Sequence, residues 1–195
     1  MNTYKIQVIL GSTRHGRFGE QPARWIEEKA KEHAEFDVEF IDLRNYPLPF
    51  FDEPVSPSQP NMKYVSKEGE SWAKKIGEAD GYVWVTPEYN HGYPAVLKNA
   101  IDYVYKEWIK KPVAFVAYGS VGGARAVEQL RGVAAELQMT PVRSAVHINE
   151  YWNLLDEKGM LKTQGFEYAA TNMLDQLMWW TIALQEARLK DQTES

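Results

Sequence analysis

Ten residues near the N-terminus, GSTRHGRFGE from Gly11 to Glu20, combine glycines, hydroxyls and two arginines in an order suited to holding a phosphate. Gly11 and Gly16 keep the G-x-x-x-x-G spacing of a triphosphate loop, but Arg17 stands where that loop has lysine and Phe18 where it has serine or threonine. A phenyl ring cannot ligate magnesium, so the stretch fits one terminal phosphate held without a metal. Ser12 and Thr13 offer hydroxyl donors, and Arg14 and Arg17 match the charge of about −2 on a monoester. The following helix start would add free N–H groups and the positive end of its dipole. There is no G-x-G-x-x-G, the fingerprint for a dinucleotide pyrophosphate. A plain glycine turn carrying two solvated arginines remains the alternative.

Two further stretches carry chemistry. TPEYNHGYP, Thr86 to Pro94, mixes aromatic rings with Asn90 between two prolines, which suits a cradle for a planar heteroaromatic ring. It also reads as a stiff turn with Pro94 opening a helix. GSVGGARA, Gly119 to Ala126, has adjacent glycines that permit close backbone approach to a ligand, or simply open a helix. Ser120 is not in a G-x-S-x-G context and is a poor hydrolase nucleophile. The histidines at 15, 33, 91 and 147 lack the spacing of H-E-x-x-H, and no metal site is expected. His147 reads as structural, Glu27 and Glu28 as a solvated helix face, and Asp102 as facing solvent or a neighbouring subunit.

These loops must be positioned by the runs between them. YKIQVIL at 4–10, DVEFIDL at 37–43, GYVWVT at 81–86, PVAFVAY at 112–118 and VRSAVHI at 142–148 read as strands. Several are apolar almost throughout, as in a parallel sheet buried on both faces. Helical periodicity falls between them: Ala23, Ile26 and Ala30; Trp72 and Ile76 within about 64–78; Leu97, Ala100, Ile101, Val104 and Trp108; Val127, Leu130, Ala134 and Leu137. The alternation predicts a doubly wound α/β fold with ligands beyond the strand C-termini. The proline-rich 44–61 segment is then a long extended loop at the ligand-bearing edge. The tail has a wide apolar arc, with Phe166, Ala170, Met173, Leu177, Trp180 and Leu184 beside Leu174, Met178, Trp179 and Ile182. Such a helix is either over-apolar core or a subunit contact.

At 195 residues the chain is expected to be a single domain, 1–195, with a core at about 4–148 and a helical extension at about 150–190. A net charge of −5 argues against general affinity for nucleic acid or an anionic membrane. The absence of cysteine excludes thiol and disulfide chemistry. No apolar run has the length of a signal peptide or a membrane span, so the expected location is cytoplasmic.

Taken together, GSTRHGRFGE, TPEYNHGYPAVLKNAID (Thr86–Asp102) and GSVGGARA resemble the NADPH-dependent FMN reductase family of the flavodoxin superfamily, over about residues 4–148. The long Thr86–Asp102 string is the most specific part. The resemblance implies a flavodoxin-like, five-stranded parallel sheet of order 2-1-3-4-5 that binds FMN non-covalently. It places the ribityl phosphate on Ser12, Arg14 and Arg17 with the nearby backbone of Phe18 and Gly19, and leaves open which arginine makes the direct contact. Pro87, Glu88, Tyr89 and Asn90 would wrap the ring, with Gly119 and Ser120 approaching from the next loop. It further implies hydride transfer from NADPH or NADH through FMN to a quinone-like, azo or other small acceptor in ping-pong order. No side chain is assigned as catalytic, and a homodimer or homotetramer is expected. A flavodoxin-type electron shuttle and a non-catalytic flavin-binding regulator are the rival functions.

Overall fold

A strand that is apolar on both faces has to be covered on both, and this chain covers one face of its sheet with its first and last helices and the other with the three between them. The computed structural model describes residues 3–193. Residues 1, 2, 194 and 195, which the single-domain expectation includes, lie outside it. Strands β1 (Tyr4–Leu10), β2 (Phe36–Asp42), β3 (Gly81–Pro87), β4 (Pro112–Gly119) and β5 (Thr140–Asn149) form one sheet in the order β2-β1-β3-β4-β5. Every pairing is parallel. The order is the one expected, and the strand bounds move by two residues at most. All of β3 is buried, as is all of β4 up to its last residue, which is why these two read as continuous apolar runs.

Helices α1 (Glu20–Lys31) and α5 (Glu167–Thr193) cover one face. Helices α2 (Lys67–Gly77), α3 (Ala95–Asp102) and α4 (Ala124–Glu136) cover the other. The first face packs Ile6, Val8, Val83 and Val116 against Ile26 of α1 and Met173 and Leu177 of α5. The second packs Ile9, Trp84 and Phe115 against Trp72, Ile101 and Leu130. The tail helix is therefore core along its Ala170–Met173–Leu174–Leu177 stripe. Its second stripe is not: Trp179 is 62% exposed, and Met178 and Ile182 are half-buried.

Three local readings needed correction. Apolar periodicity extended the third helix to Trp108, but α3 stops at Asp102. Two indoles end it, because Trp72 Nε1 donates to the Ala100 carbonyl at 2.7 Å and Trp108 Nε1 to the Ile101 carbonyl at 3.2 Å. Both carbonyls belong to the last turn, where intrahelical donors run out, and that of Ile101 also takes the Val104 N–H at 3.4 Å. Val104 and Trp108 are buried, but from a turn rather than a helix. The second helix begins at Lys67 because the Ser66 hydroxyl caps it, accepting from Gly69 N–H at 3.2 Å. Glu27 is not solvated: it is 7% exposed and takes Lys31 and Arg24 at 2.8 and 2.9 Å.

The paired glycines before α4 serve packing. Both are left-handed, with φ of 65° at Gly122 and 70° at Gly123, and a Cβ on Gly123 would lie 2.6 Å from that of Ala117. Gly123→Ala is therefore expected to lower unfolding stability by about 2–4 kcal/mol. Gly132→Ala, with open space around the helical position, should raise stability by about 0.5–1 kcal/mol. Paired denaturant melts at constant m-value check both signs.

Candidate functional site

In this strand order the C-terminal ends of β1, β3 and β4 are neighbours, so the Gly11–Gly19, Glu88–Tyr93 and Ser120–Gly123 loops share one edge. The 43–61 segment lies at the same edge, after β2, as expected of a long loop without regular strand or helix beyond a single turn at Leu43–Asn45.

The Ser12–Gly16 stretch is shaped by two arginines that grip its carbonyls. Arg17 is 7% exposed; its Nη1 donates to the Ser12 carbonyl at 2.6 Å and to Asp42 Oδ1 at 2.8 Å, and its Nη2 to Asp42 Oδ2. Arg44 donates from Nε to the Thr13 carbonyl at 3.3 Å and from Nη2 to the Arg14 carbonyl at 2.6 Å. In a trans peptide the C=O of one residue and the N–H of the next point in opposite directions. Holding the carbonyls of Ser12, Thr13 and Arg14 therefore turns the N–H groups of Thr13, Arg14 and His15 away from the guanidiniums. None of the N–H groups from Ser12 to Gly16 has a protein acceptor among the described residues. This is a row of free donors, the arrangement that binds an anion.

The helix start contributes less than expected. The Gln21 N–H already donates to the Phe18 carbonyl, Pro22 has no N–H, and Glu20 puts a carboxylate in the first turn of α1. The loop, rather than the helix terminus, is the nest.

The side chains proposed from sequence divide into two groups. The Arg14 side chain is exposed at the loop, with no hydrogen bond or ion pair among the described residues, and the Ser12 hydroxyl lies 3.1 Å from that of Tyr89. Arg17 and Phe18 instead turn inward, Arg17 to Asp42 and Phe18 to a stack on Tyr151 at 4.0 Å with Tyr118 edge-on at 5.1 Å. Gly19 packs against Tyr118, whose hydroxyl would lie 2.4 Å from a Cβ there. The Glu88 carboxylate points to α4, accepting Arg125 Nη1 at 2.7 Å and Arg125 N–H at 3.1 Å. It is thereby a buried brace between the third and fourth loops.

Tyr89 to Gly92 closes a two-residue hairpin. Tyr89 N–H donates to the Gly92 carbonyl at 2.8 Å and Gly92 N–H to the Tyr89 carbonyl at 3.0 Å, with Asn90 and His91 at φ of 50° and 70°. Both central residues at positive φ make a type I′ turn. Gln129 Nε2 holds its tip through the His91 carbonyl at 2.7 Å. The N–H groups of Asn90 and His91, and of Ser120 and Val121 across from them, have no protein acceptor among the described residues. Gly119 ends β4 with Ser120 directly after it, and Pro87 ends β3.

Asp42, Arg44 and Tyr118 escaped the sequence reading. Asp42 and Arg44 belong to the end of β2 and the turn behind it, where no motif marks them. Tyr118 reads from sequence as one more apolar strand residue. Burial holds its phenol well above the ordinary tyrosine range, so it is neutral at pH 7.

Fold and site together define a doubly wound α/β protein with a row of free backbone donors and two tight turns at one sheet edge. The chain belongs to the NADPH-dependent FMN reductase family, whose sequence profile matches residues 4–153. It is 45% identical over 137 residues to a NAD(P)H-dependent FMN reductase of Schizosaccharomyces pombe, covering 70% of this chain and 68% of that one. It is 29% identical over 184 residues to a 2-hydroxy-1,4-benzoquinone reductase of Burkholderia, covering 90% and 95%. The fold is shared with FerB, a flavoenzyme NAD(P)H:(acceptor) oxidoreductase of Paracoccus denitrificans, at a TM-score of 0.72 and 20% identity over 93% of this chain and 98% of that one.

The ion pair under the nest makes a stability prediction. Burial raises the Asp42 pKa, but the hydrogen bonds from Arg17 and Arg44 N–H outweigh it and the net shift is downward. A depressed carboxylate pKa contributes stability at neutral pH that disappears as pH falls through the folded-state value, below about 4. Asp42→Asn should therefore cost about 2–4 kcal/mol at pH 7. The gap to the parent protein should close on acidification, measured by urea melts from pH 7 down to pH 3.

Proposed function

We propose that the free N–H groups of Ser12 to Gly16, with Arg14, hold the phosphate of FMN, and that the Pro87–Asn90 and Gly119–Ser120 turns hold its ring. The observation that carries this reading is the donor row itself: three carbonyls gripped by Arg17 and Arg44 leave the opposite side of the loop as unpartnered N–H groups. The donor set suits a phosphate monoester, which brings about two negative charges and three acceptor oxygens. The family supplies the broad activity, FMN-dependent oxidation of NAD(P)H. The chemistry that FMN supplies when bound is hydride transfer from NAD(P)H and onward to a quinone-like, azo or other small acceptor, in ping-pong order.

The chain's own part is binding, orientation and electrostatics. Arg14 and Ser12 meet the phosphate, and Tyr89 orients the Ser12 hydroxyl. Arg17 acts through the loop rather than on the ligand, because its guanidinium is already committed to Asp42 and the Ser12 carbonyl. The N–H groups of Asn90, His91, Ser120 and Val121, free among the described residues, would supply hydrogen-bond donors to an anionic ring held there, and no side-chain acid or base is assigned. The exposed rings of Tyr168, Trp152 and Trp179, at 84%, 51% and 62%, support a homodimer or homotetramer. Among the described residues no helix is long and apolar enough to cross a membrane, and the proposed reductase is cytoplasmic.

Arg14→Ala should weaken FMN by about 10- to 150-fold, the equivalent of about 1.5–3 kcal/mol for a charge-assisted contact. Riboflavin, which lacks the phosphate, should keep nearly its original affinity. Fluorescence quenching titrations measure both. Equal losses for the two ligands would refute the phosphate role of Arg14. A protein that takes up no FMN would overturn the whole reading, and a yellow protein without steady-state NAD(P)H oxidation would make it a shuttle or sensor.

A further inference from the structure

The segment after β5 folds back onto α1 and leaves a cavity of about 460 Å³ between them. One side chain holds the fold-back. Gln21 donates from Nε2 to the Gly159 carbonyl at 2.9 Å and accepts the Leu161 N–H at 2.7 Å. The turn that it holds is closed from within: Asp156 Oδ1 accepts the N–H groups of Lys158 and Met160, both at 2.8 Å, and Leu155 pairs with Leu161. The wall facing α1 is therefore fixed by the chain itself. None of Ser12–Gly16, Pro87–Asn90 or Gly119–Ser120 lines this cavity, so it is separate from the proposed flavin site. The Met160–Thr163 wall also lies beyond residues 4–153, the span that the family profile matches.

The interior is mainly apolar, formed by Trp25, Met160 and Leu161. Trp25 is held in place, with Nε1 donating to Glu167 Oε1 at 3.4 Å and its ring edge-on to Phe166 at 6.4 Å. Three charged residues complete the lining, and only the cation among them is committed. The Arg24 guanidinium lies 3.5 Å over the Phe40 ring and donates to Glu27 at 2.9 Å. Glu20 meets Arg17 through one oxygen at 3.6 Å, and Glu28 meets Lys31 through one oxygen at 2.8 Å. The other oxygen of each carboxylate has no donor among the described residues. The site is thus apolar inside and electronegative at its mouth. An anion would meet like charge there. A cation finds the carboxylates at the mouth and the electron-rich face of an indole within. A quaternary ammonium suits it best, because it has no N–H to leave unsatisfied among apolar walls.

We propose that this cavity is a second ligand site, for a small aromatic molecule bearing a quaternary ammonium, with Trp25 inside and Glu20 and Glu28 at the mouth. Its volume of about 460 Å³ is that of a site for one substituted ring system. The proposal is independent of the flavin reading, since it uses neither the phosphate loop nor the ring turns.

The test titrates three phenols of similar shape by calorimetry at neutral pH: (4-hydroxyphenyl)trimethylammonium, its neutral isostere 4-tert-butylphenol, and the anionic 4-hydroxybenzenesulfonate. In FMN-saturated protein the cation is expected to bind about 10-fold more tightly than the neutral isostere, and the sulfonate most weakly. Trp25→Leu should remove most of that preference. Glu20→Gln with Glu28→Gln should weaken the cation by about 3- to 5-fold and leave 4-tert-butylphenol unchanged. Met160→Lys places a tethered ammonium at the site and should weaken the cation by about 10-fold. Met160 is 54% exposed, so this variant tests the site even where Trp25→Leu fails to fold. Equal affinity of the parent protein for the cation and its isostere would overturn the proposal, as would a cation affinity that Met160→Lys leaves unchanged. FMN-free protein should bind the cation as tightly as FMN-saturated protein, and loss of binding without FMN would put the probe on the flavin and overturn the proposal. A protein that takes up no FMN sinks the flavin reading alone, because the same titration runs without it.

Discussion

The ion pair between Arg17 and Asp42 is the constraint on which the site depends. A buried pair recovers its desolvation cost only when its remaining donors and acceptors are also met. Here Asp42 receives both terminal nitrogens of Arg17 and the N–H of Arg44, and Arg17 also reaches the Ser12 carbonyl, so that of this guanidinium only the buried Nε has no hydrogen-bond partner among the described residues. Those bonds join the end of β2, the turn after it and the first loop into one unit. The orientation of each peptide in the loop follows from where its carbonyl is held, and so the free N–H row is a consequence of the pair. A cation that a motif would aim outward instead holds the loop from inside.

That arrangement is available only because of the strand order. β1 lies between β2 and β3, so the end of β2 delivers Asp42 directly beside the loop that leaves β1. The same order brings the β3 and β4 turns to the other side of that loop. Side-chain bonds then fix the spacing between neighbours: Ser12 to Tyr89 links the first loop to the hairpin, and Glu88 to Arg125 links the end of β3 to α4. Tyr118 completes the frame, and Gly19 is required against it because any side chain would occupy the place of the phenol oxygen.

What could be read from sequence follows the same division. Strands buried on both faces announce themselves, since nearly every residue of β3 and β4 is apolar whatever its neighbour is, the buried Thr86 being the exception in β3. The strand order was legible only through family resemblance, because periodicity carries no information about pairing. The end of α3 was not legible: Leu97, Ala100, Ile101, Val104 and Trp108 continue a helical stripe, while the indoles that terminate the helix act through tertiary contact. The locations of the three loops were readable from glycine, proline and hydroxyl content. The direction of each side chain was not. Arg14 and Arg17 are three residues apart and chemically alike, and what separates them is an aspartate on another strand, at a distance no local pattern spans.

The hairpin after β3 relies on backbone strain. Asn90 and His91 both adopt left-handed conformations, which asparagine tolerates more readily than histidine and which glycine would adopt without strain. Left-handed non-glycine residues persist where their surroundings hold them. Here the reciprocal Tyr89–Gly92 bonds close the turn and Gln129 holds the His91 carbonyl from α4. The gain from that strain is directional: two successive N–H groups are left free at the rim, opposite the free groups of Ser120 and Val121. A more relaxed turn would offer the same atoms in variable directions, and a ligand would then bear the entropy of ordering them. The hairpin thus reaches free donors by a different route from the gripped loop. Reciprocal backbone bonds close its ends, and a side chain holds only the His91 carbonyl, whereas in the loop two guanidiniums hold three carbonyls in a row.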